Sequence, residues 1–239
     1  MTIYGKDFAA IYNKEWGGWT RKAWPFISKA VARVNPGASS WLDLCCGNGW
    51  LLKKACRAGF EAVGVDASSH QLRHARRNAP RAELIRADIR KLSLRRKFDV
   101  ITCMFDSLNY LTRKDELLGV FRWARRHLAG KGCFIFDMNT CAFFCAPAGR
   151  TTAVHRPGWS TIIEVEFDLK RQLAHFLITG FVRQGRLFRK FREDHVERLY
   201  RPEEIDELLG QASFAFKKHD GSTLSRPRKS SRRLVYVCR

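Results

Sequence analysis

No run of apolar residues in this chain approaches the roughly 20 needed to cross a bilayer, so a transmembrane helix is not expected. The start, Met1-Thr2-Ile3-Tyr4-Gly5-Lys6-Asp7-Phe8, lacks the apolar core of a signal peptide, and a soluble, cytoplasmic protein is expected. Cysteine occurs eight times, yet no C-x-x-C pair is present. Cys141 and Cys145 have the wrong spacing for common zinc knuckles and no clear partners. Cys45, Cys103 and Cys133 fall inside or at the ends of strand-like apolar runs, so reduced structural thiols are expected and no metal site. Internal repeats and low-complexity segments are also missing, which excludes solenoids and disordered tails. Acidic residues are scarce: 23 against 44 Lys and Arg, a formal net charge of +21. That balance predicts attraction to polyanions, whether nucleic acid, anionic membrane or anionic metabolites. The cations are spread along Arg73 to Lys97 and Lys217 to Arg239 without one compact run, which favours a generally basic, solvated surface.

What the chain does contain is order of a recognisable kind. At 239 residues with 45% hydrophobic content, one elaborated domain is the default. Tyr4, Phe8, Tyr12 and Trp16 recur every four residues, along one side of a helix. Gly17-Gly18 breaks it, and Trp24 to Val34 reads as a second helix ending before Pro36. Strands follow at about 40–46, 61–66, 82–87, 98–105 and 132–138. Helices fill the gaps: about 49–58 closed by Gly59, 69–79 capped by Ser68, and 113–129 opened by a Thr112-x-x-Asp115 capping box. Short apolar strands alternating with helices predict a parallel sheet covered on both faces.

After Asn139 the period changes to two. Ile163, Val165, Phe167 and Leu169 alternate with Glu164, Glu166, Asp168 and Lys170, a half-buried strand. Two more strand-like runs, about 173–183 and 187–199, flank a tight Gln184-Gly185-Arg186 hairpin. A helix from Pro202 to about Gly210 and strands at about 213–218 and 233–238 complete the chain. The fold class expected is α/β, a Rossmann-like, doubly wound, mostly parallel seven-stranded sheet with a small antiparallel β insert after the fifth strand. Four regions follow: an N-terminal helical lid (1–36), the ligand-binding core (37–140), the insert (141–200) and the closing helix and strands (201–239).

The chemistry concentrates where strands end. Trp41-Leu42-Asp43-Leu44-Cys45-Cys46-Gly47-Asn48-Gly49 is an apolar strand running into a small-residue loop and then a helix, a joint that brings backbone close to a nucleotide-like ligand. Asp66 ends the next apolar run, where a carboxylate can accept hydrogen bonds from ribose hydroxyls, and Asp88 ends the run after that.

Four segments in register, Leu42 to Gly49, Gly64-Val65-Asp66-Ala67-Ser68, Arg86-Ala87-Asp88-Ile89 and Phe98 to Leu111, resemble the successive motifs of class I S-adenosylmethionine-dependent methyltransferases. Phe134 to Thr140 and Glu193 to Tyr200 are similar to a subgroup with an antiparallel insert, small-molecule N-methyltransferases that include enzymes acting on amino sugars. One departure is plain: Cys45 stands where the first glycine of the usual loop would be, so the loop must tolerate a β-carbon there. The resemblance implies S-adenosylmethionine as methyl donor and S-adenosylhomocysteine as product. It implies that residues 45–49, with Gly47 and Gly49, underlie the amino-acid end, that Asp43 orders the loop, and that Asp66 takes the ribose. It further implies that Asp88 and the Ile89 N–H meet adenine, that Phe105 flanks the methionine portion, and that Tyr12 touches ligand from the lid.

Methyl transfer is an in-line displacement at a carbon already activated by sulfonium, so the protein must align a nucleophile. A base matters only where that nucleophile arrives protonated. His195 is the leading base candidate: Glu193, His195 and Glu197 share one face of an extended strand, where the carboxylates favour an imidazolium and attract a cationic amine. His195 packing to hold the sheet together is the alternative. Asn109, Tyr110 and Asn139 are candidates to touch substrate at the mouth of the sheet.

Three functions compete. A small-molecule methyltransferase, with an amine nitrogen as leading acceptor, is favoured by the insert and its acidic strand. A nucleic-acid methyltransferase is motivated by the charge, but Phe105-Asp106-Ser107-Leu108 is not the Asn/Asp-Pro-Pro-aromatic signature, and no Pro-Cys nucleophile or RNA-binding module occurs. A non-catalytic binding protein or a nicotinamide dehydrogenase comes last, since the dehydrogenase wants a third glycine where Leu52 stands. The oligomeric state and the acceptor's identity are left open by the sequence.

Overall fold

The computed structural model describes residues 3–16, 18–144 and 151–239. Gly17 and Cys145, read above as part of a helix break and as a thiol, lie outside the described residues. In chain order the elements are α1 (Lys6–Glu15), α2 (Gly18–Val34), β1 (Ser40–Leu44), α3 (Trp50–Arg57), β2 (Glu61–Asp66), α4 (Ser69–Asn78), β3 (Glu83–Arg86), β4 (Phe98–Cys103), α5 (Lys114–His127) and β5 (Leu128–Asn139). They continue with α6 (Cys141–Phe144), β6 (Thr151–Arg156), β7 (Trp159–Asp168), β8 (Leu173–Gln184), β9 (Leu187–Arg198), α7 (Pro202–Gln211), β10 (Phe216–Asp220) and β11 (Arg233–Cys238). Short 3-10 turns at Ile89–Lys91 and Ser107–Tyr110 follow β3 and β4.

The main sheet has seven strands in the order β10-β11-β5-β4-β1-β2-β3, with β11 antiparallel to both neighbours and β1 to β5 parallel. Its strands are near-continuous apolar runs because helices cover both faces. One face packs Phe121, Phe134, Phe136 and Tyr236 into a core with α5 and α7. The other packs Trp41, Leu52, Val100 and Ile135 beneath α2 and α3. The order reverses between β1 and β4, since β2 and β3 lie to one side of β1 and β4 and β5 to the other. Strands diverge there, and a crevice opens at their carboxyl ends.

β6 to β9 form a separate four-stranded antiparallel sheet, the insert foreseen after the fifth strand. Gly185 has φ 62° and turns the β8–β9 hairpin. One face of this sheet carries Phe191, Glu193, His195 and Glu197 in alternation. α1 packs against that face, with Phe8 at 6.4 Å from the Phe191 ring and 5.5 Å from that of His195.

Three local expectations are corrected. Thr112 and Asp115 form no capping box: Arg113 is the N-cap of α5 without a side-chain cap, and its guanidinium instead binds the Asp115 carboxylate at 2.7 and 3.0 Å. The second helix starts at Gly18 and passes through Pro25, because Ala23, Ile27 and Val31 at four-residue spacing bury a continuous stripe. That burial offsets the one helical hydrogen bond a proline removes. Leu169 falls past the end of β7 and is exposed at 71%, so the alternating pattern overran the strand by a residue or two.

Candidate active site

A cavity of about 400 Å³ opens over the carboxyl ends of β1, β2 and β4, with α1 lying across it. That volume is in the range of small-ligand pockets. Its floor is the loop after β1. Cys45 has φ 53° and Gly47 φ 52°, both in the left-handed region. Glycine enters that region freely, whereas cysteine pays roughly 1–2 kcal/mol for it. The Cys45 substitution noted in the sequence is therefore accommodated as local strain. Gly47 faces open space: a β-carbon there would meet nothing within 4 Å. Gly49 serves differently. With φ 76°, it packs so closely on α4 that a β-carbon would sit 2.9 Å from Ala75 Cα and Cβ, and it does not line the cavity.

Asp66 reaches the cavity from the end of β2 and organises the floor. Its Oδ2 accepts from the Gly47 N–H at 2.8 Å and its Oδ1 from the Ser68 N–H at 2.8 Å, leaving further lone pairs toward the cavity. Burial raises its pKa, and those two backbone bonds oppose the rise. Asp43 lies beneath, buried, opposite Thr102 in the β1–β4 register, and the Thr102 hydroxyl donates to it at 2.7 Å. Burial pushes the Asp43 carboxyl up to about 7. Phe105 lines the cavity with φ 63°, its N–H held by the Asp137 carboxylate at 2.6 Å. Asp137 is in turn fixed by Arg233, which also binds Asp106 at 2.8 Å.

The roof is aromatic. Tyr12 and Trp16 stack with centroids 5.3 Å apart, the Tyr4 ring meets Tyr12 edge-on at 5.2 Å, and all three line the cavity. Tyr110, just after β4, brings its hydroxyl to 3.4 Å from that of Tyr4 and 2.8 Å from His195 Nδ1. His195 Nε2 lies 2.8 Å from Glu193 Oε2. Burial first, then the Glu197 charge, holds the Tyr110 hydroxyl well above its ordinary pKa, so it remains a neutral phenol.

Several expectations change here. His195 is buried behind Tyr4 and Tyr110 and does not line the cavity, so it reaches a reacting atom only through the Tyr110 hydroxyl. Asn109 is a buried joint and does not line the cavity. Its amide nitrogen donates to the Asn139 carbonyl at 3.3 Å and the Arg198 carbonyl at 2.9 Å, and its oxygen accepts from the Asn139 N–H at 3.0 Å. These bonds tie the core to the insert. Asn139 likewise turns its amide to Asp106 at 3.0 Å. Asp88 caps the short turn after β3, and the Arg90 guanidinium beside it lowers its pKa. Neither Asp88 nor Ile89 lines the cavity; Arg90 does.

Sequence reasoning also missed part of the wall. Thr20 Oγ1, Asn48 Nδ2, Trp50 Nε1 and Gln71 Oε1 are buried without a hydrogen-bond partner, and all four residues line the cavity. Buried polar atoms left without partners are costly unless a ligand supplies them. Two donors, an acceptor and a hydroxyl beside a carboxylate suit a ligand with amino-acid, ribose and base portions. No sequence signal marks Thr20 or Gln71, which come from helices remote from the loop.

A parallel sheet with its cavity at the switch point, a small-residue loop after β1 and a carboxylate at the end of β2 defines a Rossmann-like methyltransferase architecture. Comparisons agree. A family model described as a methyltransferase domain matches residues 42–132. A solved S-adenosylmethionine-dependent methyltransferase from Clostridium acetobutylicum ATCC 824 superposes with a TM-score of 0.86 at 29% identity, covering 100% of this chain and 99% of that one. The dTDP-3-amino-3,4,6-trideoxy-alpha-D-glucopyranose N,N-dimethyltransferase of Streptomyces venezuelae is 26% identical over 227 residues, 93% of this chain and 90% of the relative. An amino pentose methyltransferase from Micromonospora echinaspora, solved with S-adenosylmethionine bound, shares the fold with a TM-score of 0.75 at 20% identity, covering 99% and 98% of the two chains. This chain carries a methyltransferase domain and is an S-adenosylmethionine-dependent enzyme, with S-adenosylmethionine as its cofactor.

Proposed function

We propose that this enzyme methylates the amine nitrogen of a small molecule, an amino sugar in particular. The observation that carries the nitrogen assignment is the cavity lining. Its only carboxylates are Asp43 and Asp66, both at the cofactor floor, and no histidine lines it among the described residues. The side facing α1 offers the hydroxyls of Tyr4, Tyr12 and Tyr110 instead. An alcohol needs a base to become a nucleophile, whereas an unprotonated amine already has a lone pair. Neutral tyrosines can orient such an amine by hydrogen bonds and leave alignment as the main catalytic term. The Streptomyces venezuelae relative, named for dimethylating a dTDP-amino sugar and matched over 93% of this chain and 90% of its own, supports the sugar assignment.

In this reading the loop 45–49 and Asp66 bind the amino-acid and ribose ends of S-adenosylmethionine. Asp43 orders the loop, Phe105 flanks the methionine portion, and α1 with Tyr12 covers the ligand as a lid. The sulfonium methyl is the electrophile that the cofactor supplies. Tyr110, hydrogen-bonded to His195, orients the acceptor nitrogen with its lone pair toward the sulfonium methyl. The four regions proposed are the lid (1–36), the core (37–140), the insert (141–200) and the closing segment (201–239). Among the described residues no helix is long and apolar enough to cross a membrane. A cytoplasmic location belongs to the same proposal, supported by free thiols at Cys45, Cys46, Cys56, Cys103, Cys133 and Cys238.

The charge of +21 favours a second reading, methylation of RNA, to which the comparisons lend no support. One experiment separates the two. Methyl-labelled S-adenosylmethionine is incubated with the enzyme and a cell extract, and label is counted in RNA, DNA, protein and metabolite fractions. The expected result is label among metabolites, and in dTDP-3-amino-3,4,6-trideoxyglucose when that compound is added. Label confined to RNA would overturn the small-molecule reading.

A further inference from the structure

The segment that roofs the cavity is held by a carboxylate belonging to the insert. Glu193 on β9 is buried, and its two oxygens are divided between consecutive backbone donors. Oε2 accepts from the Tyr4 N–H at 2.7 Å and Oε1 from the Gly5 N–H at 2.8 Å. Oε2 also lies 2.8 Å from His195 Nε2, whose ring passes the contact to the Tyr110 hydroxyl at 2.8 Å. From the other side, the Ser68 hydroxyl donates to the Tyr4 carbonyl at 2.8 Å, beside the Asp66 turn. Tyr4 itself has φ 54°, a conformation a tyrosine adopts only where its surroundings hold it.

We propose that Glu193 is a positioning residue of this methyltransferase, latching the Tyr4–Gly5 segment and, through His195, Tyr110 over the bound cofactor. The inference rests on the cofactor reading of the cavity. Ile3, Tyr4 and Tyr110 all line that cavity, and one carboxylate fixes two of them by separate routes. A carboxylate accepts several N–H bonds at once; a carboxamide of the same shape has one acceptor oxygen and turns an NH₂ toward the other N–H. Ligand entry past the roof requires these bonds to open, so the latch sets how long the product stays.

Gly5 gives an independent handle. Its backbone, φ −65° and ψ 178°, is open to alanine, but a β-carbon would sit 3.1 Å from Glu193 Oε1. Gly5→Ala therefore crowds the latch without straining the chain. Two changes acting on one interaction are non-additive, whereas changes at independent sites multiply.

The test is the dissociation rate of S-adenosylhomocysteine, followed by stopped-flow fluorescence of Trp16 and Trp50, which line the cavity. Wild type, Glu193→Gln, Gly5→Ala, the double variant and Asn109→Ala are compared. The last loosens the core–insert joint at a residue that does not itself line the cavity and leaves the Glu193 bonds in place, so it controls for lost stability. Each latch variant is expected to release product about tenfold faster, the double no faster than the faster single, and Asn109→Ala within about twofold of wild type. Release unchanged in both singles, multiplied in the double, or equally fast in Asn109→Ala would overturn the latch. Failure of the wild type to bind S-adenosylhomocysteine would instead overturn the cofactor reading.

Discussion

Replacing Asp66 with alanine tests the floor of the site most directly. The carboxylate does two jobs: it holds the N–H groups of Gly47 and Ser68 at 2.8 Å each, and its remaining lone pairs face the cavity where the ribose is assigned. A charge-assisted bond to a ribose hydroxyl contributes about 1.5–3 kcal/mol, a factor of roughly ten to a hundred in affinity. The backbone donors lie at a half-buried turn and regain water, so their loss costs about 1 kcal/mol each. For a chain of this length that lowers Tm by about 4–8 °C in all. Calorimetric titration with S-adenosylhomocysteine and with its 2′,3′-dideoxy analogue separates the two effects. Wild type should prefer the natural ligand ten- to a hundredfold. Asp66→Ala should bind both equally and as weakly as wild type binds the analogue. A variant that melts lower yet still discriminates between the ligands would refute the ribose assignment and leave Asp66 a turn-forming residue.

Asp43 gives the binding reaction a pH dependence. Burial raises its folded pKa to about 7, above roughly 3.9 in the unfolded chain, so the folded state holds the extra proton and the free protein loses stability as pH rises between those values. A ligand ammonium over the loop favours the carboxylate, so S-adenosylhomocysteine affinity should rise with pH up to about 7 and level off above it; Asp43→Asn should flatten that profile in titrations from pH 5.5 to 8.5. Asn109→Ala should act on stability. Its three bonds to Asn139 and Arg198 leave partners unpaired at a cost of at least about 1 kcal/mol each, lowering Tm by at least about 6 °C, with kcat within about threefold at a temperature where the variant is folded. A large fall in kcat at unchanged Tm would restore Asn109 to the catalytic group.

Local chemistry explains why so much of the fold was legible. Alternating apolar strands and helices, the Ser68 cap and the Gly185 hairpin each specify their own few residues, and the structure reproduces them with ends shifted by a few positions. Asp66 and the loop with Cys45 and Gly47 were legible as cavity residues because strand ends in an open parallel sheet converge on one crevice, and the family resemblance added Asp43 and Phe105. The aromatic stripe was equally a core pattern; the resemblance pointed Tyr12 at the ligand, and Tyr4, which precedes α1, and Trp16 join it at the cavity.

Tertiary structure decided what convergence alone does not specify. Alternation placed Glu193, His195 and Glu197 on one face of a strand, but only the packing of α1 against that face put Tyr4 between His195 and the cavity. A helix terminus and an arginine two residues away captured Asp88; the sequence allowed such a cap beside the adenine contact, and the fold chose between them. Thr20 and Gln71 meet the cavity from helices far apart in sequence, and their unpaired polar atoms have meaning only beside each other. The sequence by itself determined the sheet, the loop and the acid at the end of β2, because those follow from periodicity and backbone conformation within a few residues. Which side chains face the ligand was set by the docking of α1 and the insert onto that sheet, since long-range packing fixes the direction in which a side chain points.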